Sequence, residues 1–377
     1  MERAEGMTDS VKVLIVDDDA AESALLAGLL NKGGDDLVCE VARPRGSVEA
    51  TAALIKERLD TDDPRLLLLD YRLEDHRTDD GDIAAFRGGT VAGYVRDQDP
   101  DLPIVLLTSE EKLHLFVERR PGMKQHFDWT LLKEKVAAKD DGAVAHARLV
   151  DFALTWESAR DGSDDERETW RRLGELMSAS PEGLEQFASL EPEPPRGDVP
   201  GDILHWMLKR AHHLRGPLID DATTRVMLGL TPESFDQEVV AEWLEPSRYR
   251  GGLGSFGRRW WAHLVSSQLA EACSGSRPID ATERVRHLSE ALGLHLIHET
   301  CTWCGGERTI HACLLCRQAT DAAHSLTPLG EPLPAWADPE VVCYRCVAEG
   351  HASTLRFPPG AQDIVSALVE DRIRPPE

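Results

Sequence analysis

Four short apolar runs, each followed by a charged or hydroxyl residue, constrain the fold of this chain more than any other feature. They are Val13–Val16 before Asp17, Leu66–Leu69 before Asp70, Ile104–Leu107 before Thr108, and Trp129–Leu132 before Lys133. A fifth short apolar piece covers residues 38–41, and helical patterns separate the runs. Continuous apolar strands joined by helices predict a doubly wound parallel sheet of five strands, an α/β fold with helices on both faces.

The residues that follow these strands are expected to meet at one edge of the sheet. Side chains that carry chemistry in a parallel sheet lie at the carboxyl ends of its strands, which here bear Asp17, Asp18, Asp70, Thr108 and Lys133. Three converging carboxylates repel one another, and a hard divalent cation such as Mg²⁺ relieves that repulsion. Asp70 is placed to act as a carboxylate nucleophile toward a phosphoryl group, with Lys133 and Thr108 contacting the phosphoryl oxygens.

Residues 11–140 resemble the receiver domain of two-component response regulators. The resemblance rests on V-L-I-V-D-D-D, L-L-L-L-D-Y-R-L, L-P-I-V-L-L-T-S and W-T-L-L-K, in this order along the chain. It implies a flavodoxin-like fold, a histidine kinase as phosphoryl donor and a place in a phosphorelay. It further implies Asp70 as phosphoacceptor, with Thr108 and Lys133 at the phosphoryl group. The Mg²⁺ ligands implied are Asp17, Asp18, Asp70 and the carbonyl group of Arg72.

Three positions depart from the receiver pattern. An acidic insertion, residues 74–82, follows the phosphoacceptor strand, where it is expected to serve as a lid or a partner contact. Glu134 stands where the pattern has a proline after the lysine, and Thr130 stands where it has an aromatic residue. Trp129 is one residue away and, in a strand, points to the opposite face. The chemistry therefore looks intact, whereas the usual signal readout does not.

The rest of the chain is expected to be mainly helical and to end in a small metal-binding module. The Pro-rich stretch 191–197 cannot continue a helix and is the best linker candidate. The predicted segments after the receiver domain are a helical connector at 144–190, a helical domain at 198–295, a zinc-binding module at 298–355 and a closing helix at 361–372.

A cluster of arginines and aromatic residues at 248–261 contains no acidic residue. Such a cluster binds an acidic partner or single-stranded nucleic acid through Arg forks and ring stacking. The candidate partner-binding residues are Arg248, Arg250, Arg258, Arg259 and Trp260. The alternative, which we favour, is a glycine-rich turn with its tryptophans in the core and its arginines paired with local acids. The G-x-G-x-x-G match at 252–257 lacks a preceding strand and is rejected as a dinucleotide site.

Six of the eight cysteines form three C-x-x-C pairs, a spacing typical of zinc ligation in a reducing compartment. The pairs are Cys301/Cys304, Cys313/Cys316 and Cys343/Cys346. The favoured first site joins the outer pairs, Cys301, Cys304, Cys343 and Cys346, and pairing with Cys313 and Cys316 is the open alternative. A second site would take extra ligands from His311, His324 and His351. Both sites are expected to be saturated by protein ligands and structural.

The charge balance narrows the class of partner. With 42 Lys+Arg against 67 Asp+Glu, the net charge is −25, which argues against a protein that coats nucleic acid or an anionic membrane. The N-terminus lacks the apolar core of a signal peptide, and no run reaches the roughly 20 apolar residues of a membrane span. A cytoplasmic location is expected.

The leading hypothesis is an atypical response regulator phosphorylated on Asp70, whose output passes through protein–protein contacts of the helical and zinc-binding regions. We expect no enzymatic activity beyond autophosphorylation from small donors and autodephosphorylation. One alternative is a pseudo-receiver adaptor or phosphate buffer, which by fold analogy occurs in bacterial conflict and phage-defence systems. Another is a nucleic-acid-binding regulator that uses the 248–261 cluster.

Overall fold

The chain divides into two compact units that do not follow one another along the sequence. The computed structural model describes residues 10–60, 64–73, 86–113, 126–138, 141–160, 162, 165–189, 193–275, 280–308, 311–330, 333–370 and 373–375. The first unit comprises residues 1–176, 194–207 and 251–256, and the second comprises 177–193, 208–250 and 257–377. The acidic insertion at 74–82 lies outside the described residues.

A five-stranded parallel sheet forms the centre of the first unit. Its strands are β1 (Val11–Val16), β2 (Leu37–Ala42), β3 (Arg65–Asp70), β4 (Ile104–Thr108) and β5 (Trp129–Leu132). The strand order is β2-β1-β3-β4-β5, which is the flavodoxin-like arrangement. The predicted fold class is thereby confirmed for this unit. The three central strands are buried almost throughout because helices cover both faces of the sheet.

Eight α-helices and one 3₁₀ turn are assigned to the first unit among its described residues. They are α1 (Ala20–Asn31), α2 (Val48–Arg58), α3 (Gly88–Gln98), α4 (Glu110–Lys112), α5 (Lys133–Ala137), α6 (Asp141–Ala159), α7 (Glu166–Leu176), α9 (Pro200–Trp206) and a 3₁₀ turn (Gly254–Phe256). Helix α6 buries Leu149, Phe152 and Trp156 in this unit. The predicted connector at 144–190 is divided between the two units, with α6 and α7 in the first and residues from 177 onward in the second.

The second unit is mainly helical, as predicted, with short paired strands. Its longer elements are α8 (Pro181–Ala188), β6 (Leu218–Asp220), α10 (Asp221–Leu228), α11 (Pro232–Phe235), α12 (Glu238–Leu244), β7 (Arg259–Trp261), α13 (Ala262–Ala272) and α14 (Ala281–Leu292). A π-helix covers Met207–His212, at the change from the first unit to the second. Residues 259–261, inside the predicted helical domain at 198–295, form a strand that pairs antiparallel with β6.

The cysteine-rich part of the second unit has little regular structure. Its elements are β8 (His311–Ala312), β9 (Ala319–Thr320), a 3₁₀ turn (Ala322–His324), β10 (Ser325–Leu326), β11 (Val342–Cys343), α15 (Tyr344–Ala348) and α16 (Gln362–Val369). The strands pair as two antiparallel hairpins, β8 with β9 and β10 with β11. None of the described helices is long and apolar enough to cross a membrane.

Candidate functional site

The carboxyl ends of β1, β3, β4 and β5 bring five predicted site residues into one pocket. Ligand oxygens of Asp17, Asp18 and Asp70 all lie within 4.8 Å of one another. All three side chains are buried, because each follows a strand that is covered on both faces. Asp18 precedes Asp19, which caps α1 by accepting the N–H groups of Ala21 and Glu22. The start of α1 therefore fixes the acidic turn at the sheet edge.

Lys133 is the cation in contact with this acidic pocket. Its Nζ lies 2.8 Å from Asp17 Oδ2 and 3.2 Å from Asp70 Oδ1. It also donates to Glu22 Oε2 at 2.6 Å. Glu22 was missed by sequence reasoning, although its place in the first turn of a helix that starts at the acidic cluster was a usable signal. The ammonium thus bridges the predicted nucleophile, a predicted Mg²⁺ ligand and an additional carboxylate.

Asp70 is fully buried, and its two oxygens face different groups. Oδ2 accepts the Arg72 N–H at 2.8 Å, while Oδ1 faces Lys133. Burial, followed by the charge of Asp17, raises the pKa of Asp70 from 3.8 to about 6, against the opposing effect of Lys133. Burial also acts on Asp17, but Lys133 holds the pKa of Asp17 below its usual value. The site therefore carries more negative charge than Lys133 neutralises.

Thr108 completes the pocket at the end of β4. Its side chain is fully buried, and Oγ1 has no hydrogen-bond partner among the described residues. Thr108 pairs with Leu132 in the β4–β5 register, so Lys133 follows directly at the neighbouring strand end. A buried hydroxyl without a partner costs free energy unless a ligand satisfies it. The hydroxyl is therefore available to a phosphoryl oxygen.

Substituting Asp70 by Asn is expected to stabilise the metal-free protein by about 1–3 kcal/mol near neutral pH. The amide keeps the acceptor for the Arg72 N–H and removes a charge that burial disfavours. Chemical unfolding in Mg²⁺-free buffer measures the difference, and no chelator is added because it would also remove the proposed zinc. Added Mg²⁺ should raise the stability of the wild type much more than that of Asp70→Asn. An Asp70→Asn protein that is less stable in Mg²⁺-free buffer, or an equal response to Mg²⁺, would contradict this electrostatic account.

The effect of Asp70→Asn on the free energy of unfolding is expected to depend on pH. The folded-state pKa of Asp70, about 6, lies above the ordinary value of 3.8, so protonation favours the folded state. This contribution is present below about pH 4 and is lost as pH rises through about 6. The stability advantage of Asp70→Asn in Mg²⁺-free buffer should accordingly grow between pH 4 and 6 and level off above. An advantage that is constant over this range is the contradicting result.

The positions that depart from the receiver pattern have defined contacts. Glu134 accepts the Glu110 N–H with both oxygens at 3.2 Å, which ties the start of α4 to the start of α5. Trp129 packs against Phe152 and, edge to face, against Phe256, with ring centroids 5.9 and 4.8 Å apart. Phe256 belongs to residues 251–256, which we call the inserted segment because the chain on both sides of it belongs to the second unit.

Four cysteines in the second unit form a compact thiol cluster. Sγ atoms of Cys313, Cys316, Cys343 and Cys346 all lie within 4.8 Å of one another. Cys313 and Cys346 are 3.8 Å apart, and Cys316 and Cys343 are 3.7 Å apart. A disulfide needs about 2.05 Å, whereas zinc–sulfur bonds of about 2.3 Å place tetrahedral ligands about 3.8 Å apart. The spacing is therefore that of a four-thiolate metal site.

The electrostatics of this cluster also fit a cation. Burial and the neighbouring thiols raise the pKa of Cys346 to about 12, and the hydrogen bond shared with Cys313 raises the pKa of Cys316 to about 12. Hydrogen bonds from Cys316 and Cys343 instead hold the pKa of Cys313 low. Without a metal, one thiolate is thus stabilised at the expense of its neighbours. Four thiolates in this space require a bound cation such as Zn²⁺.

The remaining pair of cysteines lies with a histidine. Ligand atoms of Cys301, Cys304 and His324 lie within 4.8 Å of one another, and Cys301 Sγ is 3.9 Å from His324 Nδ1. The favoured pairing of Cys301 and Cys304 with Cys343 and Cys346 is therefore wrong, and the alternative partner pair, Cys313 and Cys316, joins the last two cysteines. Along the chain the ligands belong alternately to the two clusters. Cys301, Cys304 and His324 form one, and the pairs before and after His324 form the other.

The other histidines offered as extra ligands lie outside both clusters of described residues. His311 is partly buried in β8, and burial lowers its pKa. His351 is exposed, and its Nδ1 lies 3.6 Å from Glu349 Oε2. Among the described residues, neither histidine belongs to a group with the cysteines whose ligand atoms all lie within 4.8 Å of one another.

The arginine-rich cluster at 248–261 has local partners. Arg248 and Arg250 pair with Glu245 at 3.5 and 2.6 Å, and Arg258 pairs with Asp221 at 2.7 Å. Arg259 donates to the His212 carbonyl group, with Nη2 at 2.7 Å. Trp260 is only 5% exposed, so it offers no stacking surface. The structure thus agrees with the turn-and-core interpretation, because acids from neighbouring elements supply the charge that the local sequence lacks.

Comparison with known proteins finds similarity in structure alone. No protein-family profile matches this chain, and no curated protein matches it. The receiver domain of NtrX from Brucella abortus is similar at 22% identity, over 37% of this chain and 96% of that one, with a TM-score of 0.26. A CheY-like receiver protein from Methanospirillum hungatei is similar at 17% identity, over 39% and 97%, with a TM-score of 0.28.

A receiver domain protein from Clostridium thermocellum is similar at 16% identity, over 37% of this chain and 94% of that one, with a TM-score of 0.27. At these TM-scores the likeness carries no argument about function. The strand order of the first unit and the residues at its strand ends carry the interpretation instead.

Proposed function

We propose that this chain is a response regulator whose Asp70 accepts a phosphoryl group from a histidine kinase. The observation that carries the proposal is the contact of Lys133 with both Asp70 and Asp17 in a buried pocket that also contains Thr108. A nucleophilic carboxylate, an ammonium and a hydroxyl without a partner are the groups that phosphoryl transfer to a carboxylate requires.

The residues have distinct roles in this reaction. A carboxylate oxygen of Asp70 forms a bond to phosphorus as the phosphorus–nitrogen bond of the donor phosphohistidine breaks, and the ring leaves as neutral imidazole that keeps the proton already on its other nitrogen. Lys133 exchanges contacts with Asp17 and Glu22 for contacts with the phosphoryl oxygens, and Thr108 donates its hydroxyl to one of them. The Arg72 N–H holds Asp70 Oδ2 and orients the nucleophile.

Mg²⁺ fits the pocket because Asp17, Asp18 and Asp70 supply three hard oxygen ligands whose charge exceeds that of Lys133. The Arg72 carbonyl group is the proposed fourth protein ligand. When bound, the ion would neutralise charge on the phosphoryl oxygens and the carboxylates. The protein groups described above bind and orient the phosphoryl group at the same edge of the sheet.

Incubation with Mg²⁺ and a small phosphodonor such as acetyl phosphate tests the proposal. The wild type should gain the mass of one phosphoryl group, and the adduct should be stable in acid and labile in base. Asp70→Asn should gain none, while Asp97→Asn, which changes an exposed aspartate on α3, should behave as the wild type. A wild type that stays unlabelled, or label that survives Asp70→Asn, would refute phosphoryl transfer to Asp70.

We propose further that output passes through the inserted segment into protein–protein contacts of the second unit. Asp151 on α6 accepts the N–H groups of Leu253 and Ser255 at 3.0 and 2.8 Å, which holds the segment in the first unit. Phe256 then meets Trp129 on β5, the strand that ends before Lys133. A shift of β5 on phosphorylation would therefore move a segment whose flanking chain belongs to the second unit.

Hydrogen exchange of the inserted segment is expected to change on phosphorylation. The amides of Leu253 and Ser255 should exchange slowly in the unphosphorylated wild type because Asp151 accepts both. Phosphorylation should alter their exchange, and Trp129→Ala should remove that response without preventing phosphorylation. Mass spectrometry of peptides covering 251–256 makes the measurement. Identical exchange before and after phosphorylation would show that output takes another route.

Zn²⁺ is the proposed structural metal of the second unit, bound by Cys313, Cys316, Cys343 and Cys346. Four thiolates close the coordination sphere, which is typical of structural zinc. The two-residue strands around it cannot be stable alone, so the metal would hold the hairpins together. This assignment is independent of the phosphorylation chemistry.

A pseudo-receiver adaptor is the second candidate function. The observation that favours it is that Glu134 accepts the Glu110 N–H, which fixes the start of α4 to the start of α5 and opposes a movement of these two strand ends on phosphorylation. An unlabelled wild type in the phosphodonor experiment is the result expected for such an adaptor.

A further inference from the structure

We propose that Cys301, Cys304 and His324 bind a second Zn²⁺ whose fourth coordination position is open to an external neutral nitrogen ligand, with water there otherwise. Zinc with two thiolates and one imidazole is a known three-ligand arrangement that leaves room for a further donor. This differs from the expectation that both metal sites are saturated by the protein.

The three side chains are held in place for coordination. Asp321 N–H donates to Cys301 Sγ, and Gly306 N–H donates to Cys304 Sγ, each at 3.4 Å. Gly305 has a φ of +68°, and its N–H donates to the Cys301 carbonyl oxygen at 2.9 Å. Glycine adopts this left-handed conformation most readily, and the conformation closes the tight turn that points both thiols to one side. The pair is thus shaped as a metal-binding knuckle.

Packing orients the histidine toward the same point. The His324 ring contacts Tyr344 edge to face at 5.9 Å, and Tyr344 contacts Trp303 at 5.8 Å. His324 Nδ1 is 3.9 Å from Cys301 Sγ, close to the roughly 3.6 Å that tetrahedral ligation by one nitrogen and one sulfur requires. The ring therefore presents Nδ1 to the cysteine pair with little rearrangement.

Two observations distinguish this cluster from the four-thiolate cluster. Within the described part of the chain, no fourth His, Cys, Asp or Glu places a ligand atom within 4.8 Å of those of all three residues. Two of its three members, Cys304 and His324, are partly exposed, whereas in the four-thiolate cluster only Cys316 is partly exposed and the other three cysteines are buried. Solvent and small ligands can therefore reach the fourth position.

Charge selects the type of external ligand. Two thiolates and a neutral imidazole balance the two positive charges of Zn²⁺, so a neutral donor adds no uncompensated charge. Asp321, whose N–H donates to Cys301 Sγ at 3.4 Å, places a carboxylate next to the cluster, and this negative charge disfavours an anion at the same metal. Asp321 Oδ1 itself accepts the Ala323 N–H at 2.8 Å. The site accordingly favours an imidazole, such as a histidine side chain of a partner, over azide or carboxylate.

Cobalt substitution of the full-length protein tests the proposal. Metal analysis should find about two Zn²⁺ per chain in the wild type and about one in His324→Ala. His351→Ala, which changes an exposed histidine outside both clusters, is the matched control and should keep both. With Co²⁺ in both sites, imidazole should shift the visible absorption of the wild type and of His351→Ala, and azide should shift it much less.

His324→Ala with Co²⁺ in the four-thiolate site should show no shift with imidazole. Should this variant fail to fold, Cys304→Ser serves the same purpose, and the imidazole titration of the wild type stands without any variant. About one Zn²⁺ per wild-type chain would overturn the proposal. So would two bound metals whose spectrum imidazole leaves unchanged, because that result describes a closed site. None of these outcomes depends on phosphorylation of Asp70.

Discussion

Substituting Cys313 by Ser is expected to remove the zinc of the four-thiolate cluster and to unfold the cysteine-rich part of the second unit. The Cys313 side chain is fully buried, and its sulfur lies 3.8 Å from that of Cys346. Binding of structural zinc is worth about 10–16 kcal/mol in small metal domains, and this free energy stabilises the fold directly. Few other interactions in the region approach that magnitude.

The local structure explains why the loss should be severe. The strands β8, β9 and β11 have two residues each, and the apolar cluster around them includes the cysteines themselves. Zinc content and hydrogen exchange of residues 311–347 measure the effect. Cys273→Ser, a change at a buried cysteine outside both clusters, is the control, and this variant should retain the zinc of the four-thiolate cluster. A Cys313→Ser protein with unchanged zinc content and exchange would contradict the assignment.

Substituting Lys133 by Met is expected to lower the free energy of unfolding in Mg²⁺-free buffer by about 3 kcal/mol. The side chain keeps its length and loses the charge that contacts Asp17, Asp70 and Glu22. Asp17 and Asp70 are then left buried and negative without their cation, whereas Asp70→Asn removes one of the repelling charges. The two variants should therefore shift stability in opposite directions.

Added Mg²⁺ separates this explanation from a simple packing defect. It should restore a large part of the stability of Lys133→Met, because a divalent cation can replace the missing charge among the carboxylates. Phosphoryl labelling should still fall strongly, because the ammonium that contacts the phosphoryl oxygens is gone. Lys135→Met, on the exposed side of α5, is the matched control. Equal stability of Lys133→Met and wild type in Mg²⁺-free buffer would show that the contacts are not energetically coupled.

The receiver-like sheet could be predicted from sequence because its signals are local. Each apolar run is long enough for a buried strand, and the polar residue that follows it marks the carboxyl end. Asp17, Asp70, Thr108 and Lys133 therefore met at one edge as expected. Glu22 was not foreseen, since its contact with Lys133 depends on the direction in which α1 leaves the sheet.

The metal ligand pairing could not be derived in the same way. A C-x-x-C turn shows that two thiols face one metal, but it does not show which second pair completes the site. The hairpins β8–β9 and β10–β11 decide that, since they carry Cys313 and Cys343 to one place and leave His324 with Cys301. Their two-residue strands leave no periodic signal in the sequence.

The inserted segment was missed for a similar reason. Its glycines predicted a turn, but its place in the first unit depends on Asp151, about a hundred residues earlier in the chain. Leu253 is fully buried and has a φ of +64°, which is an unusual backbone conformation for leucine. The Asp151 carboxylate stabilises this conformation by accepting the Leu253 N–H. Because such contacts join residues that are far apart in the chain, the two compact units do not correspond to consecutive segments of the sequence.

Chemical trapping of the phosphorylated residue tests the central claim most directly. Borohydride reduces an aspartyl phosphate to homoserine with release of phosphate, which marks the acceptor by its position in the chain. After treatment with acetyl phosphate and Mg²⁺, a peptide covering 65–73 should contain homoserine in place of Asp70, and omission of the phosphodonor should prevent the conversion. No conversion at Asp70, or conversion at another aspartate, would contradict the proposal that this pocket accepts a phosphoryl group.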